Sequence, residues 1–203
     1  MRIMGVPERM ENIRQTQEIL KIPDENIFID YEHEGVKPTA RRAWSKETDK
    51  SHVMVLQDDV ELCKDFLKYC YIIINKFPDF VVSLFPFQFR RNTDLGRWPV
   101  SPYVQVKYCS GQGVIMRSDY INPCLSEWKD EIPGDDTNIE RWANSKGIKI
   151  ISTLPSIIQH IGDDSVYDPS RSVGRTVYYD PDPVGAMWES DFLNIYTNIS
   201  RKR

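Results

Sequence analysis

The stretch HVMVLQDD, residues 52–59, decides the fold of this chain. Its central residues 53–56 are all apolar, which is typical of a strand that is covered on both faces in a parallel sheet. The run ends abruptly in Gln57, Asp58 and Asp59. The sequence therefore predicts a central strand with acidic side chains at its carboxyl end.

Apolar and amphipathic segments alternate on both sides of this strand. The predicted strands cover residues 2–6, 26–29, 53–56, 80–84, 103–107, 113–116, 148–151 and 156–160. The predicted helices cover residues 7–20, a segment that begins at Thr39, residues 64–76 and a segment after Asp136. The alternation predicts an α/β domain with a mostly parallel central sheet flanked by helices. Within it we expect the strands at 103–107 and 113–116 to be neighbours.

Length and composition predict one domain and exclude several classes of protein. The chain has 203 residues, of which 40% are hydrophobic, and 26 Lys and Arg stand against 30 Asp and Glu for a net charge of −4. This balance argues against a general nucleic-acid binder, which needs clustered positive charge. No apolar run approaches the roughly 20 residues that cross a bilayer. With no signal peptide visible, we expect a cytoplasmic protein.

The domain organisation follows from where the alternation stops. Residues 1–162 contain the predicted strands and helices, whereas 163–203 are rich in Asp, Pro, Ser and Tyr, with one possible helix over 188–196. We expect 163–203 to be a less regular extension that packs on the core or leads to a further domain. A long loop between Pro86 and Pro99, with Trp98 and several arginines, is predicted to be a lid.

Acidic side chains are expected to gather at one edge of the sheet. Ligands of open α/β sheets bind beyond the carboxyl ends of the strands, where Asp30, Asp58 and Asp59 should lie. If the strand order allows, Asp135, Asp136 and His160 join them. Paired carboxylates chelate Mg²⁺ or Mn²⁺, which bridges phosphate oxygens and stabilises a leaving diphosphate. The simpler alternatives are strand-end turns and helix caps for the acid pairs, and a hydrogen-bonded core residue for the histidine.

Three segments resemble nucleotide-sugar glycosyltransferases of the GT-A fold. Residues 52–61, HVMVLQDDVE, resemble the D-x-D element of these enzymes, especially of inverting N-acetylglucosaminyltransferase-like groups. Residues 135–140, DDTNIE, and 155–162, PSIIQHIG, resemble the acceptor-side acid and a P-S-x-x-Q-H-x-G segment. The match covers about residues 1–162, and compact viral and phage enzymes, such as those that glycosylate chlorella-virus capsid protein, are similar in size. Gln57 departs from the strictest D-x-D pattern.

The resemblance implies a metal-dependent, inverting transfer of a sugar from a nucleoside-diphosphate sugar, expected to be a UDP-sugar. The acceptor would be a hydroxyl of a glycan or glycoprotein, such as a viral capsid protein, and a viral enzyme of this kind would be expected in the host cytoplasm. Asp59 and His160 would hold Mn²⁺ or Mg²⁺, Asp136 would be the catalytic base, and Asp135 would bind sugar hydroxyls. The residues expected to contact the nucleotide or donor sugar are Val6, Arg9, Asp30, Arg41, Arg42, Gln57, Asp58, Gly111 and Gly113.

Two other functions remain open at the level of sequence. The acids Asp58, Asp59, Glu61, Asp135 and Asp136 could instead bind two metals for phosphoester hydrolysis, as in a nuclease or phosphatase. Two-metal enzymes usually have more metal ligands than three histidines and these acids supply. A non-catalytic binding module with structural Ca²⁺ is the third alternative, but such modules are more often all-β.

Overall fold

The computed structural model describes residues 1–86, 103–132, 134–162 and 179–183. The predicted lid between Pro86 and Pro99 and the possible helix over 188–196 lie outside these ranges. Among the described residues, no helix has the length and apolar character that crossing a membrane requires. The strands are β1 (Arg2–Gly5), β2 (Ile27–Ile29), β3 (His52–Gln57), β4 (Val60–Leu62), β5 (Val81–Ser83), β6 (Tyr103–Val106), β7 (Gly113–Arg117), β8 (Ile150–Thr153) and β9 (Ile158–His160). The α-helices are α1 (Met10–Leu20), α2 (Val36–Ser45), α3 (Phe66–Lys76), α4 (Ser118–Ser126) and α5 (Asp135–Ser145).

The predicted α/β architecture with a central sheet flanked by helices is confirmed. The described strands form one large sheet in the order β2-β1-β3-β7-β5-β8-β6. β1 pairs in parallel with β2 and β3, and β5 pairs in parallel with β8. β7 runs antiparallel to both β3 and β5, and β6 runs antiparallel to β8. The sheet is therefore mixed, with a parallel part at β2-β1-β3 that carries the carboxyl ends of interest.

The predicted pairing of the strands at 103–107 and 113–116 is wrong. β7 lies between β3 and β5, whereas β6 pairs with β8 at the edge of the sheet. Residues 113–116 are all buried. Apolar residues in a continuous run are stabilised most where both faces of the strand are covered, so the centre of the sheet is the favourable position for residues 113–116 of β7.

The apolar residues of β3 alternate between two hydrophobic cores. Met54 and Leu56 pack in the core that also contains side chains of α1 and α3. Val53 and Val55 pack on the opposite face against side chains of α2, α4 and α5. Successive side chains of a strand point to opposite faces, so a continuous apolar run is needed where helices cover both. The prediction of a doubly covered central strand is confirmed.

Helix α2 begins earlier than predicted. Its first residue is Val36, directly after Gly35, which has a φ of 112°. Pro38 lies in the first turn, where a missing backbone N–H costs no helical hydrogen bond. Thr39, where the helix was predicted to begin, is therefore an internal helical residue.

A second, two-stranded sheet brings the late part of the chain to the end of β3. β4 and β9 pair antiparallel, with Val60 opposite His160. The backbone N–H of Ile161 also donates to the carbonyl of Asp59, at 2.9 Å. Because β4 follows the Asp58–Asp59 turn directly, this pairing fixes His160 beside the acids.

The described residues 179–183 contact the core near α3 and β9. Tyr179 forms a bridge with Ser156. The N–H of Lys64 donates to the carbonyl of Pro181 at 2.8 Å, and the hydroxyl of Tyr69 donates to the carbonyl of Pro183. This part of the chain thus returns to the start of α3.

Candidate functional site

The carboxylate of Asp58 is held against the end of β1. It is buried, and its Oδ2 accepts a hydrogen bond from the N–H of Val6 at 2.8 Å. Its Oδ1 accepts one from Nη1 of Arg9 at 3.1 Å. A Cβ added to Gly5 would lie 2.3 Å from Oδ2 of Asp58. Only glycine at position 5 therefore allows the carboxylate to approach this backbone.

Asp59 forms the centre of a second set of contacts. Its Oδ2 lies 2.5 Å from Nη1 of Arg9 and 2.8 Å from Nε2 of His160. Its Oδ1 and Nδ1 of His160 are buried and have no hydrogen-bond partner within the described ranges. Gly162 lies close by, since a Cβ there would be 3.1 Å from Oδ2 of Asp59. Arg9 thus bridges two adjacent carboxylates, and the imidazole joins the second of them.

The surroundings move the pKa values of the two carboxyls in opposite directions. Burial, followed by the charge of Asp59, raises the pKa of Asp58 to about 6 despite hydrogen bonds from Val6 and Arg9. Burial alone would raise the pKa of Asp59 as well. The hydrogen bond and charge of His160 and the charge of Arg9 outweigh burial and lower the pKa of Asp59 below its ordinary value. Asp59 is therefore the more strongly ionised of the pair.

Two of the side chains at this place, those of Asp59 and His160, are of the types that could hold a divalent ion. A carboxylate and an imidazole are suitable ligands for Mn²⁺, and the unpartnered Oδ1 of Asp59 is a buried acceptor that lacks a positive partner. Mg²⁺ is usually bound through one or two carboxylates together with substrate phosphates. No group of three or more His, Cys, Asp or Glu residues that could hold an ion by itself occurs in the described part of the chain. Ligands from outside these two residues would have to complete the set.

The second acid pair lies at the start of α5, on the other side of Gln57. Asp135 is only 3% exposed. A Cβ added to Gly111 would lie 3.1 Å from Nε2 of Gln57, 3.4 Å from Oδ1 of Asp135 and 3.6 Å from Cβ of Asp136. Gly111 therefore lies between the end of β3 and the start of α5. The two acid pairs flank one strand end.

Asp135 and Asp136 have different surroundings although they are adjacent. Burial, followed by the charge of Asp136, raises the pKa of Asp135 to about 8. The side chain of Asp136 is half-buried, and its Oδ1 accepts a hydrogen bond from the N–H of Thr137 at 2.7 Å. Consecutive helical residues point in different directions, so one acid faces the protein and the other faces its own helix terminus.

Asp30 and Gly113 have roles in the framework. Asp30 is buried at the end of β2, and its carboxylate accepts hydrogen bonds from the N–H groups of Glu34 and Gly35 at 2.9 and 2.8 Å. These bonds shape the loop before α2. A Cβ on Gly113 would lie 2.9 Å from Cδ1 of Ile158 and 3.0 Å from Cδ2 of Leu56. Core side chains therefore fill the space in front of Gly113.

Arg41 and Arg42 contact other parts of the surface. The guanidinium of Arg41 lies 5.2 Å from the ring centroid of Trp128. Arg42 donates to the carbonyl of Ile29 at 3.1 Å and pairs with Glu34 at 3.3 Å. The structure gives these two arginines partners outside the acid pairs, and their predicted contact with a nucleotide stays a prediction.

Two glycines of the site were missed from the sequence. Gly5 gives Asp58 its space, and Gly162 packs against Asp59 and Arg9. Gly5 has a sequence signal, because a glycine that ends an otherwise apolar strand often marks a close approach. Gly162 follows His160 by two residues, but nothing in its spacing indicates a contact with Arg9.

Comparison with known protein families and curated proteins does not identify a function. No family model matches this sequence, and no curated protein matches it significantly. The contacts of the two acid pairs and the resemblance of the three sequence segments are therefore the features that indicate a function.

Proposed function

We propose that this chain is a metal-dependent glycosyltransferase that moves a sugar from a nucleoside-diphosphate sugar to an acceptor hydroxyl with inversion. The expected donor is a UDP-sugar, and the expected acceptor is a glycan or glycoprotein, such as a viral capsid protein. One observation carries the proposal. The three resembling segments, far apart in the sequence, supply Asp59, Asp135 and His160 around the carboxyl end of one central strand.

On the donor side, Asp59 and His160 would hold Mn²⁺ or Mg²⁺. The ion, when bound, would supply positive charge to the diphosphate as it leaves. Arg9 is the protein's own cation at this place, paired with both Asp58 and Asp59. In the sheet, β1 pairs with both β2 and β3. The nucleotide would bind over the ends of β1 and β2, next to the acids that follow β3.

On the acceptor side, Asp136 is the proposed base. It would take the proton of the acceptor hydroxyl as that oxygen bonds to the anomeric carbon and the diphosphate leaves with the electron pair. Asp135 has a raised pKa of about 8, so it is mostly protonated at neutral pH. A neutral carboxyl both donates and accepts hydrogen bonds, which supports a role for Asp135 in binding sugar hydroxyls.

The geometry supports a two-metal hydrolase less well. Such enzymes hold two ions about 3.5–4 Å apart between shared ligands. Here Asp58 is bound to Val6 and Arg9, and Glu61 is exposed on β4. Asp58 lies beside Asp59, but both of its oxygens already accept hydrogen bonds, one of them from a backbone N–H.

The decisive experiment is a thermal-shift and calorimetric titration with UDP, with and without Mn²⁺. Binding to the folded state stabilises it by about 2.7 kcal/mol at a ligand concentration of 100 Kd. We expect stabilisation by UDP only with Mn²⁺, and its loss in Asp59→Ala and Asp59→Asn. Asp49→Ala is the matched control, because the Asp49 side chain is 81% exposed and pairs with the neighbouring Lys50.

Two results would count against the proposal. UDP binding that is insensitive to removal of Mn²⁺, or that survives in both Asp59 variants, contradicts the assigned site. Release of phosphate from a simple phosphoester without any sugar donor would favour the hydrolase instead.

A further inference from the structure

Arg9 is placed as a cation between two adjacent carboxylates. It ends the 3-10 turn Pro7–Arg9 and directly precedes α1. Its side chain is 18% exposed, and the single nitrogen Nη1 lies 3.1 Å from Oδ1 of Asp58 and 2.5 Å from Oδ2 of Asp59. A charge in this position offsets the repulsion between the two acids. The pair is therefore neutralised in part by the chain itself.

The same oxygen of Asp59 also contacts the imidazole. Oδ2 is 2.8 Å from Nε2 of His160. The carboxylate oxygen accepts a hydrogen bond from the imidazole N–H, so this bond occupies positions of both residues that a metal would need. Nη2 of Arg9 lies close to Gly162, 3.2 Å from the position that a Cβ on this glycine would occupy. A divalent ion that binds Asp59 and His160 together has to separate this contact. It also has to enter beside a positive charge.

A diphosphate changes this balance. Two cations close to each other in a partly buried site repel strongly. Phosphate oxygens accept two parallel hydrogen bonds from a guanidinium, so a bound diphosphate offers Arg9 an alternative to the carboxylates. Once Arg9 pairs with phosphate, Asp59 is available to another cation.

We propose that Arg9 acts as an internal counter-cation that competes with the divalent ion for Asp59 and is transferred to the diphosphate when the donor binds. This inference rests on the proposed function and adds a mechanism to its donor site. It makes metal binding weak without nucleotide and strong with it. By thermodynamic linkage, the metal and the nucleotide then raise each other's affinity by the same factor.

The test is binding of Mn²⁺ alone, measured from the electron paramagnetic resonance signal of free Mn²⁺ in the absence of nucleotide. The variants are Arg9→Met, which keeps an unbranched side chain without charge, and Arg9→Gln, which is uncharged but keeps a polar end. Arg14→Met is the control, because Arg14 lies on the following helix with a 64% exposed side chain. We expect Arg9→Met to bind Mn²⁺ at least ten times more tightly than the wild type, and Arg14→Met to equal the wild type.

A second readout protects the test against unfolding of the variant. Arg9→Met should melt at a lower temperature than the wild type, because it leaves two buried acids without their cation. Mn²⁺ alone should restore its melting temperature, and KCl at equal ionic strength should not. If Arg9→Met does not fold, Arg9→Gln decides: severalfold tighter Mn²⁺ binding supports the inference, and wild-type affinity overturns it.

The outcomes separate this inference from the proposed function. If wild-type protein binds UDP with Mn²⁺ but folded Arg9→Met binds Mn²⁺ alone no better than wild type, the counter-cation role is wrong and the function stands. If no protein binds Mn²⁺ with or without UDP, both fail.

Discussion

Asp135 is the residue at which burial and charge conflict most. Its carboxyl is 3% exposed, and burial together with the charge of Asp136 raises its pKa to about 8. An unfolded chain would release this proton near pH 4. Between about pH 4 and pH 8 the unfolded state therefore binds fewer protons than the folded state, and stability falls as the pH rises.

The prediction at the residue scale is that Asp135→Asn removes this pH dependence. The melting temperature of the variant, relative to the wild type, should rise steadily from pH 5 to pH 8, because an amide does not ionise. Differential scanning calorimetry at a series of pH values measures it.

Asp130→Asn serves as the comparison, since the Asp130 side chain is 93% exposed and its loss should leave the pH profile of the wild type unchanged. A constant offset between Asp135→Asn and the wild type across this range would refute the raised pKa.

At the scale of elements, the site is built where strand ends meet. β1 ends at Gly5, and β3 passes directly into Asp58 and Asp59. The N–H of Asp30 also donates to the carbonyl of Gly5, at 2.9 Å, so the ends of β1, β2 and β3 are joined by hydrogen bonds. The paired ends of these strands therefore hold the Asp58 carboxylate in position, although the residue itself lies in a turn.

We predict that Gly5→Ala destabilises the protein by about 1–3 kcal/mol, the usual cost of overpacking a filled site. The three nearest atoms to the added Cβ, at 2.3, 2.4 and 2.6 Å, all belong to the side chain of Asp58. Urea denaturation of a double-mutant cycle measures the effect. In an Asp58→Gly background, the same Gly5→Ala change should cost much less, because the colliding atoms are gone. Equal costs in both backgrounds would show that some other contact is responsible.

For the whole molecule, contacts between distant parts of the sequence decide which surfaces are covered. Two cores lie on opposite faces of the central sheet. Tyr69 of α3 is buried, and its hydroxyl reaches the carbonyl of Pro183. The described residues 179–183 therefore contribute to the cover of the core next to α3.

Tyr69→Phe should lower the free energy of unfolding by about 1 kcal/mol, the typical net value of one buried hydrogen bond. Urea denaturation monitored by circular dichroism provides the measurement. Tyr71→Phe is the matched control on the same helix, because Tyr71 is 68% exposed. A loss of stability in Tyr71→Phe as large as that in Tyr69→Phe would contradict the role of the Pro183 contact.

Local pattern was sufficient for most of the elements, although it missed β4 and α4, and for the residue types of the site. The uninterrupted apolar run at 53–56 predicted a strand covered on both faces, because every side chain of such a strand must avoid water. The acids that follow it, and those that begin α5, were also visible as chemistry at element ends. The strand and the element ends depend on residues that are close together in the sequence, so the periodicity of apolar and polar residues is enough to predict them.

The tertiary structure decided the pairings. It placed β7 between β3 and β5, gave Asp135 and not Asp136 the buried position, and joined Arg9 to both Asp58 and Asp59. The sequence by itself determined which faces and which strand ends carry apolar or acidic groups. Their partners were decided only by the fold, because hydrophobic burial is non-directional and the partner of a buried strand or charge is set by packing between segments far apart in the chain.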